Sequence, residues 1–382
     1  MVGILVSRGT DSWPSLWDLI VVGGGPAGLA TAIVAAEQGL SVLVLERRKF
    51  ASEKACGEGL LPPGVKALER LGIRDRFDHT TSRPFRGIRF IQEDGSSVAA
   101  PMPWPGLGIR RVVLLQKLIE RAEELGAVLW DRCAVLAVAP KSDRAIVTST
   151  GGEFAARLVV AADGLHSSLR KASGLRGPSG PRRRFALRQH YEVEPWTEFV
   201  EVYADDKGEA FATPVSDRCV AVNCVWEHGG VDRPTMPTLL SLFPRLAARL
   251  GNAPAVSTVL GAGPMAQSAM RRNSDRMVLV GDAAGFIDSI AGEGLSIAFN
   301  STIILGRHLK AILARGATRE SLEPFEREWR GLFRGYAFIT NAMLAIERRP
   351  RTRRMVIRSL MKHPWVFRAI MSGGIRMMAT AA

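Results

Sequence analysis

The chain has 382 residues, 47% of them apolar and 23% charged, a globular composition that excludes disordered and collagen-like polymers and allows two domains or one interleaved one. Its 51 basic and 37 acidic side chains leave +14, which points to an anionic partner such as a phosphorylated cofactor, a membrane surface or nucleic acid. Cys56, Cys133, Cys219 and Cys224 form no CxxC pair and no zinc spacing, and no stretch before them resembles a secretory signal, so a reduced, cytoplasmic chain without disulfides or metal is expected.

Residues Met1 to Trp17 lack periodicity and read as a loose extension. From Leu19 to Ala36 eighteen residues carry no charge, close to the length of a membrane-spanning helix. Gly23, Gly24, Gly25, Pro26 and Gly28 would interrupt such a helix, so the stretch reads as a buried strand, Leu19 to Val22, then a tight turn and a helix from Ala27 to Gln38. The glycines fall as GxGxxG: Gly23 permits the turn, Gly25 lets backbone approach a pyrophosphate, and Gly28 lets helix pack on strand. Phosphates would then meet the free N–H groups of the helix N-terminus. The next strand, Ser41 to Leu45, ends in Glu46 and Arg47. A carboxylate there accepts from ribose hydroxyls and repels a 2′-phosphate, so FAD or NAD is expected rather than NADP.

Further along, Phe85–Ile91 and Ser97–Met102 read as strands, and Arg110 and Arg111 open a helix whose Leu114, Leu118 and Ala122 recur at helical spacing. A strand from Leu158 ends in Asp163-Gly164, with Arg170 following. Phe185–Val193, Glu198–Ala204, Ala210–Val215 and Arg218–Trp226 read as strands, several with alternating polarity. Met277–Asp282 is another strand; Gly292 and Gly294 follow it, then a long apolar helix from about Leu295 to Leu313. From Arg348 onward nine Lys/Arg occur without an acid, interleaved with Met355, Leu360, Trp365, Phe367 and Ile370. Such a basic amphipathic tail can lie on an anionic membrane or pack its apolar face on the domain. No RNP-type stacking motif is present, so no nucleic-acid partner is expected.

Taken in order, the GxGxxG with its acid, the arginine before a helix, the Asp163-Gly164 pair and the Gly281-Asp282-Ala-Ala segment with its GxG resemble the FAD-dependent aromatic hydroxylase and geranylgeranyl reductase superfamily, of para-hydroxybenzoate hydroxylase type, over residues 18–313. The resemblance implies an α/β fold: a Rossmann-like FAD-binding domain from residues 18–82, 106–178 and 266–315, a β-sheet substrate domain from 83–105 and 179–265, and a helical basic segment, 316–382. It implies that Gly23, Gly25, Gly28, Glu46 and Arg47 hold the adenosine and phosphate side of FAD, that Arg111 contacts FAD phosphate or flavin, that Asp163 serves FAD and a passing nicotinamide, that Asp282 binds the ribityl chain, and that Gly292 and Gly294 let backbone lie against the flavin ring. With one dinucleotide fingerprint only, NADH or NADPH would visit transiently, or a separate donor would supply electrons.

Lys54-Ala-Cys56-Gly57 resembles the lysine-x-cysteine-glycine motif of the geranylgeranyl reductase branch, in which the cysteine approaches flavin and substrate. Cys56 is therefore the catalytic candidate, either as a proton donor or as a small filler beside the ring. The branch's aromatic-rich signature is reduced here to Glu209-Ala-Phe211-Ala-Thr213-Pro214, and Ser289 stands where proline is common. His190, Tyr203, Phe211, Pro214 and Trp226, with Trp104, are the candidates for contact with a lipophilic small-molecule substrate. The leading expectation is a monooxygenase that hydroxylates a lipophilic or aromatic molecule with NAD(P)H and oxygen. The alternative is saturation of carbon–carbon double bonds, and a third is a redox-silent FAD protein that binds membrane or RNA.

Overall fold

A computed structural model describes residues 5–6, 13–178 and 183–380. Strand β1 (Trp17–Val22) buries every side chain but that of Asp18, as expected of a strand covered on both faces. After helix α1 (Pro26–Ala36), all of it buried, the chain returns as β2 (Val42–Leu45). A two-residue strand β3 (Gly59–Leu60) and helix α2 (Pro62–Arg70) lead into a long hairpin, β4 (Ser82–Ile91) and β5 (Ser97–Ile109). Helix α3 (Arg111–Glu124), β6 (Val128–Trp130), β7 (Gly152–Ala161) and the short α4 (Ser168–Ala172) come next. Four strands follow, β8 (Arg184–Glu192), β9 (Phe199–Asp205), β10 (Gly208–Ser216) and β11 (Cys219–Glu227), then helices α5 (Met236–Leu240) and α6 (Pro244–Leu250). Strand β12 (Met277–Leu279) precedes helices α7 (Gly294–Ala314), α8 (Glu323–Glu347), α9 (Pro350–Lys362) and α10 (Pro364–Thr380).

The strands form two sheets in an α/β architecture. In the first, β6, β2, β1, β7 and β12 lie side by side and parallel. Its order reverses between β1 and β7, and ligands of open parallel sheets bind at the carboxyl ends of strands at such a reversal. The second sheet runs β8, β11, β10, β9, β4, β5, β3, antiparallel except where β9 meets β4.

At the two ends of the chain the structure adds detail to what the sequence suggests. Residues 1–4, 7–12 and 381–382 lie outside the described residues, as do residues 179–182 at the expected start of the second stretch of substrate domain. Trp13 and Trp17 are not part of a loose extension: Trp17 belongs to β1, and Trp13 stands edge-on to Trp17 and Trp130 at 5.8 and 5.4 Å. The basic tail packs on the second sheet, with Phe367 and Ile357 buried against Val98 and Ala100, and Ile375 against Phe85 and Met102. Trp365, Ile370, Met355 and Met361 point outward from it.

The two faces of the second sheet are distinguished by register. Arg188, Asn223, Phe211, Val202 and Phe90 are successive cross-strand partners and share one face. That face also carries α10, whose Phe367 meets Phe90 at 5.9 Å. On the opposite face Tyr203, Ala212, Val222 and Trp226 form a core with Met236, Leu239 and Phe243 of the α5–α6 region.

Candidate active site

The loops at the reversal are built from glycines with different duties. At Gly23, φ is +109° and a Cβ would stand 2.5 Å from the Ala162 carbonyl oxygen; at Gly28 it would stand 1.8 Å from that of Gly23. Both positions are closed by backbone. Gly25 has ordinary backbone angles, φ −80° and ψ −178°, and a Cβ there would meet only Arg111 Nη2, at 3.6 Å. The fold does not require a glycine at 25, and the space before it is open at an α1 N-terminus that no side chain caps.

Arg111 begins α3 beside that opening. Its Nε is buried with no partner, and no ion pair engages its guanidinium among the described residues. A cation left this way is costly unless an anion completes it. Arg110 differs, being tied to Glu53 at 3.0 Å. Glu46, at the end of β2, accepts from the backbone N–H of Gly24 at 2.7 Å and of Arg48 at 2.9 Å, so it shapes the glycine turn and keeps lone pairs for a ribose. Arg47 next to it is exposed.

Asp163 follows β7. One of its oxygens accepts from Leu169 N and Ser168 Oγ at 3.2 and 3.3 Å, while Oδ1 is buried without a partner. Arg170 has a structural job: it is 2% exposed and donates to the carbonyls of Leu165, Asp282 and Ala283, fastening the loop after β7 to the loop after β12. Asp282 is one-third exposed with Lys54 Nζ at 3.8 Å. Gly292 has φ +67° and only Leu61 within reach of a Cβ, at 3.8 Å. Gly294 starts α7, whose N-terminus has no side-chain cap. Between these glycines Glu293 is buried with Oε2 unpartnered, and burial pushes its carboxyl up to about 7. An open cradle at Gly25, an unsatisfied Arg111 and acids at the ends of β2 and β12 fit the diphosphate and sugar hydroxyls of FAD.

Cys56 lies in the loop between β2 and β3, half-buried, while Cys133, Cys219 and Cys224 are buried. Burial pushes its thiol up; the nearby Arg111 guanidinium opposes this, and the Glu58 and Asp282 carboxylates reinforce it.

The expected substrate-contact residues divide between the two faces. Phe211 is on the face shared with Arg188, packed with Met265 and Phe286, and the neighbouring Asn223 buries an unpartnered Nδ2 there. Tyr203 and Trp226 are in the core beneath α5 and α6 instead, and Tyr203 Oη donates to Glu201. Pro214 pairs with Val220 of that core and backs its carbonyl onto Gly108. Trp104 is exposed. His190 is fully buried, with both ring nitrogens engaged by Glu58, Arg188 and Ser257, so it faces a charge cluster and no open space. Glu58, Arg188 and Glu293 are absent from the sequence expectations; the one local signal for Glu58 and Glu293 is that each stands between two glycines.

Residues 17–334 match the FAD binding domain family. The chain belongs to that family. It is an FAD-dependent oxidoreductase with named reductases and a named monooxygenase among its relatives. Menaquinone reductase of Mycobacterium tuberculosis is 30% identical over 306 residues, covering 73% of this chain and 72% of that protein. Rifampicin monooxygenase of Streptomyces venezuelae is 28% identical over 333 residues, covering 82% and 68%. Digeranylgeranylglycerophospholipid reductase 1 of Methanopyrus kandleri is 28% identical over 342 residues, covering 83% and 87%.

Proposed function

We propose that this flavoenzyme saturates a carbon–carbon double bond in a lipophilic substrate bearing an isoprenoid chain, and that NADH, NADPH or a separate donor reduces its FAD. The observation that carries this reading is the position of Cys56, half-buried in a loop whose Lys54 reaches Asp282 at 3.8 Å; burial pushes its thiol up. Bound and reduced, FAD supplies a hydride with its electron pair. Saturation also needs a proton at the other carbon. The Cys56 S–H bond breaks as that C–H bond forms, and the thiolate recovers a proton from water. Phe211, Met265 and Phe286 give the substrate an apolar wall, and Asn223 offers a donor toward a polar headgroup.

Hydroxylation, the leading expectation from the sequence, becomes the second reading, favoured by the likeness to rifampicin monooxygenase. A thiol within an oxygen-activating site is open to oxidation, which places it second. The two separate in one experiment: incubation of the reduced holoenzyme with a geranylgeranyl lipid under strict exclusion of oxygen. Product carrying two added hydrogens is the expected result; product formed only with oxygen, and carrying it, overturns the reading.

We further propose that the enzyme meets its substrate at an anionic membrane surface through α9 and α10. Trp365, Ile370, Met355 and Met361 point outward there among Arg351, Arg358, Lys362 and Arg368. Among the described residues no helix is long and apolar enough to cross a membrane.

A further inference from the structure

Behind the cysteine loop lies a buried set of charges. Arg188 and His190 on β8 are fully buried, and Glu58 is 2% exposed. His190 Nε2 is 2.5 Å from Glu58 Oε2, and its Nδ1 is 2.7 Å from Arg188 Nη1 and 3.0 Å from Ser257 Oγ. Arginine can only donate, so Nδ1 accepts and the ring proton sits on Nε2, directed at the Glu58 carboxylate. The other Glu58 oxygen accepts from Arg111 N at 2.9 Å. Arg188 Nη2 reaches Glu53 Oε2 at 3.2 Å and the Lys54 carbonyl at 3.4 Å.

The loop from Glu53 to Glu58 is therefore pinned at both ends to one strand, with Cys56 between the anchors. Glu58 holds φ at +57°, a left-handed conformation unusual for a residue with a side chain. Burying such a network carries a large desolvation cost, and apolar residues of similar volume often stabilise a fold as well or better. Stability alone does not account for it.

We propose that Arg188 and His190 are positioning residues for Cys56: they clamp its loop through Glu53, Lys54 and Glu58 and hold the Glu58 carboxylate beside the thiol. The charges facing that thiol are Arg111 from α3, Asp282 from the loop after β12, and Glu58 from its own loop. Lys54 pairs with Asp282, and Glu53 joins Arg110 to Arg188. Glu58 and Asp282 disfavour the thiolate, and Arg111 favours it. This deepens the reductase reading by naming what keeps Cys56 a proton donor, but it is tested on thiol chemistry.

The experiment is the pH dependence of Cys56 alkylation by iodoacetamide in the FAD-loaded full chain, with the modified peptide identified by mass. E58Q removes a negative charge beside the thiol while keeping the side chain's shape. The midpoint should fall by about one unit, making alkylation about tenfold faster at a pH below it. H190A removes the donor that holds the Glu58 anion and should shift the midpoint the same way, whereas H190Q keeps a donor and should restore the wild-type profile. Coincident midpoints for wild type and E58Q overturn the proposal that the clamp sets the Glu58 charge against the thiol; if E58Q does not fold, coincident midpoints for H190A and H190Q do so. No lipid substrate enters this measurement, so its failure leaves the reductase reading to its own anaerobic test.

Discussion

Gly25→Ala and Gly28→Ala should separate cofactor binding from folding. At position 25 the backbone angles suit any residue, and the nearest atom to a new methyl is Arg111 Nη2 at 3.6 Å, an ordinary contact. The apo-protein should change by less than about 1 kcal/mol, with the sign favouring alanine because the unfolded chain loses freedom. At position 28 the methyl would sit 1.8 Å from the Gly23 carbonyl oxygen and 3.1 Å from its carbon. Neither atom can yield without displacing the turn that leaves β1, so the cost should exceed about 4 kcal/mol. The methyl at 25 also projects into the space before the first free N–H groups of α1, where a diphosphate would approach. FAD affinity should fall at least about tenfold, or about 1.4 kcal/mol. Thermal unfolding of the apo-proteins and titration with FAD, followed by flavin fluorescence, give both quantities. A G25A protein that binds FAD as tightly as wild type would refute the placement of the phosphates at this helix end.

Four further outcomes follow from the same geometry. R111Q should weaken FAD binding at least about tenfold and leave apo-protein unfolding unchanged or improved, because among the described residues no ion pair engages that guanidinium and its Nε is buried without a partner; an unaltered titration would contradict it. Burial raises Glu293 from 4.5 to about 7 in the folded state, so its contribution is complete below about pH 4.5 and is lost as pH rises through 7. E293Q should therefore match wild type at low pH and exceed it by about 3 kcal/mol above pH 8 in urea unfolding of the apo-proteins, and parallel stability profiles would exclude the effect. R353A strips a 3%-exposed cation from Glu93, Asp206 and Glu347 and should cost about 3 kcal/mol, with early proteolysis near α9; unchanged cleavage would show that this anchor does not hold the tail. W365S/I370S should reduce sedimentation with phosphatidylglycerol vesicles at least about tenfold, since each side chain contributes about 2 kcal/mol on burial, while equal binding by the double variant would remove these helices from the membrane contact.

Much of the cofactor side is legible in the sequence because it depends on neighbours along the chain. A parallel strand covered on both faces leaves an unbroken apolar run, and the glycines of a strand–turn–helix stand at fixed spacing. The strands of the second sheet are legible for a similar reason, since alternation marks them. Alternation groups Tyr203 with Glu201 and Trp226 with Cys224, but it does not say which group meets the cofactor when both faces are covered. Here α5 and α6 cover one face, and these two five- and seven-residue helices are too short to show a period. The ribbon Val135–Pro140 and Ala145–Ser149 is likewise missing from the sequence expectations. The Glu58, Arg188 and His190 cluster joins residues 132 apart, and Arg170 clasps carbonyls 112 and 113 positions away. Pairings of this kind depend on how the two sheets meet, which no local pattern encodes.

The parallel sheet also has a consequence during synthesis. Strand β12 pairs residues 277–279 with residues 159–161 of β7, so a ribosome adds more than a hundred residues after β7 before that partner exists. Until then Val159, Val160 and Ala161 present a bare apolar edge of the kind that recruits foreign strands. That edge is the surface through which the nascent protein is most open to aggregation until β12 arrives.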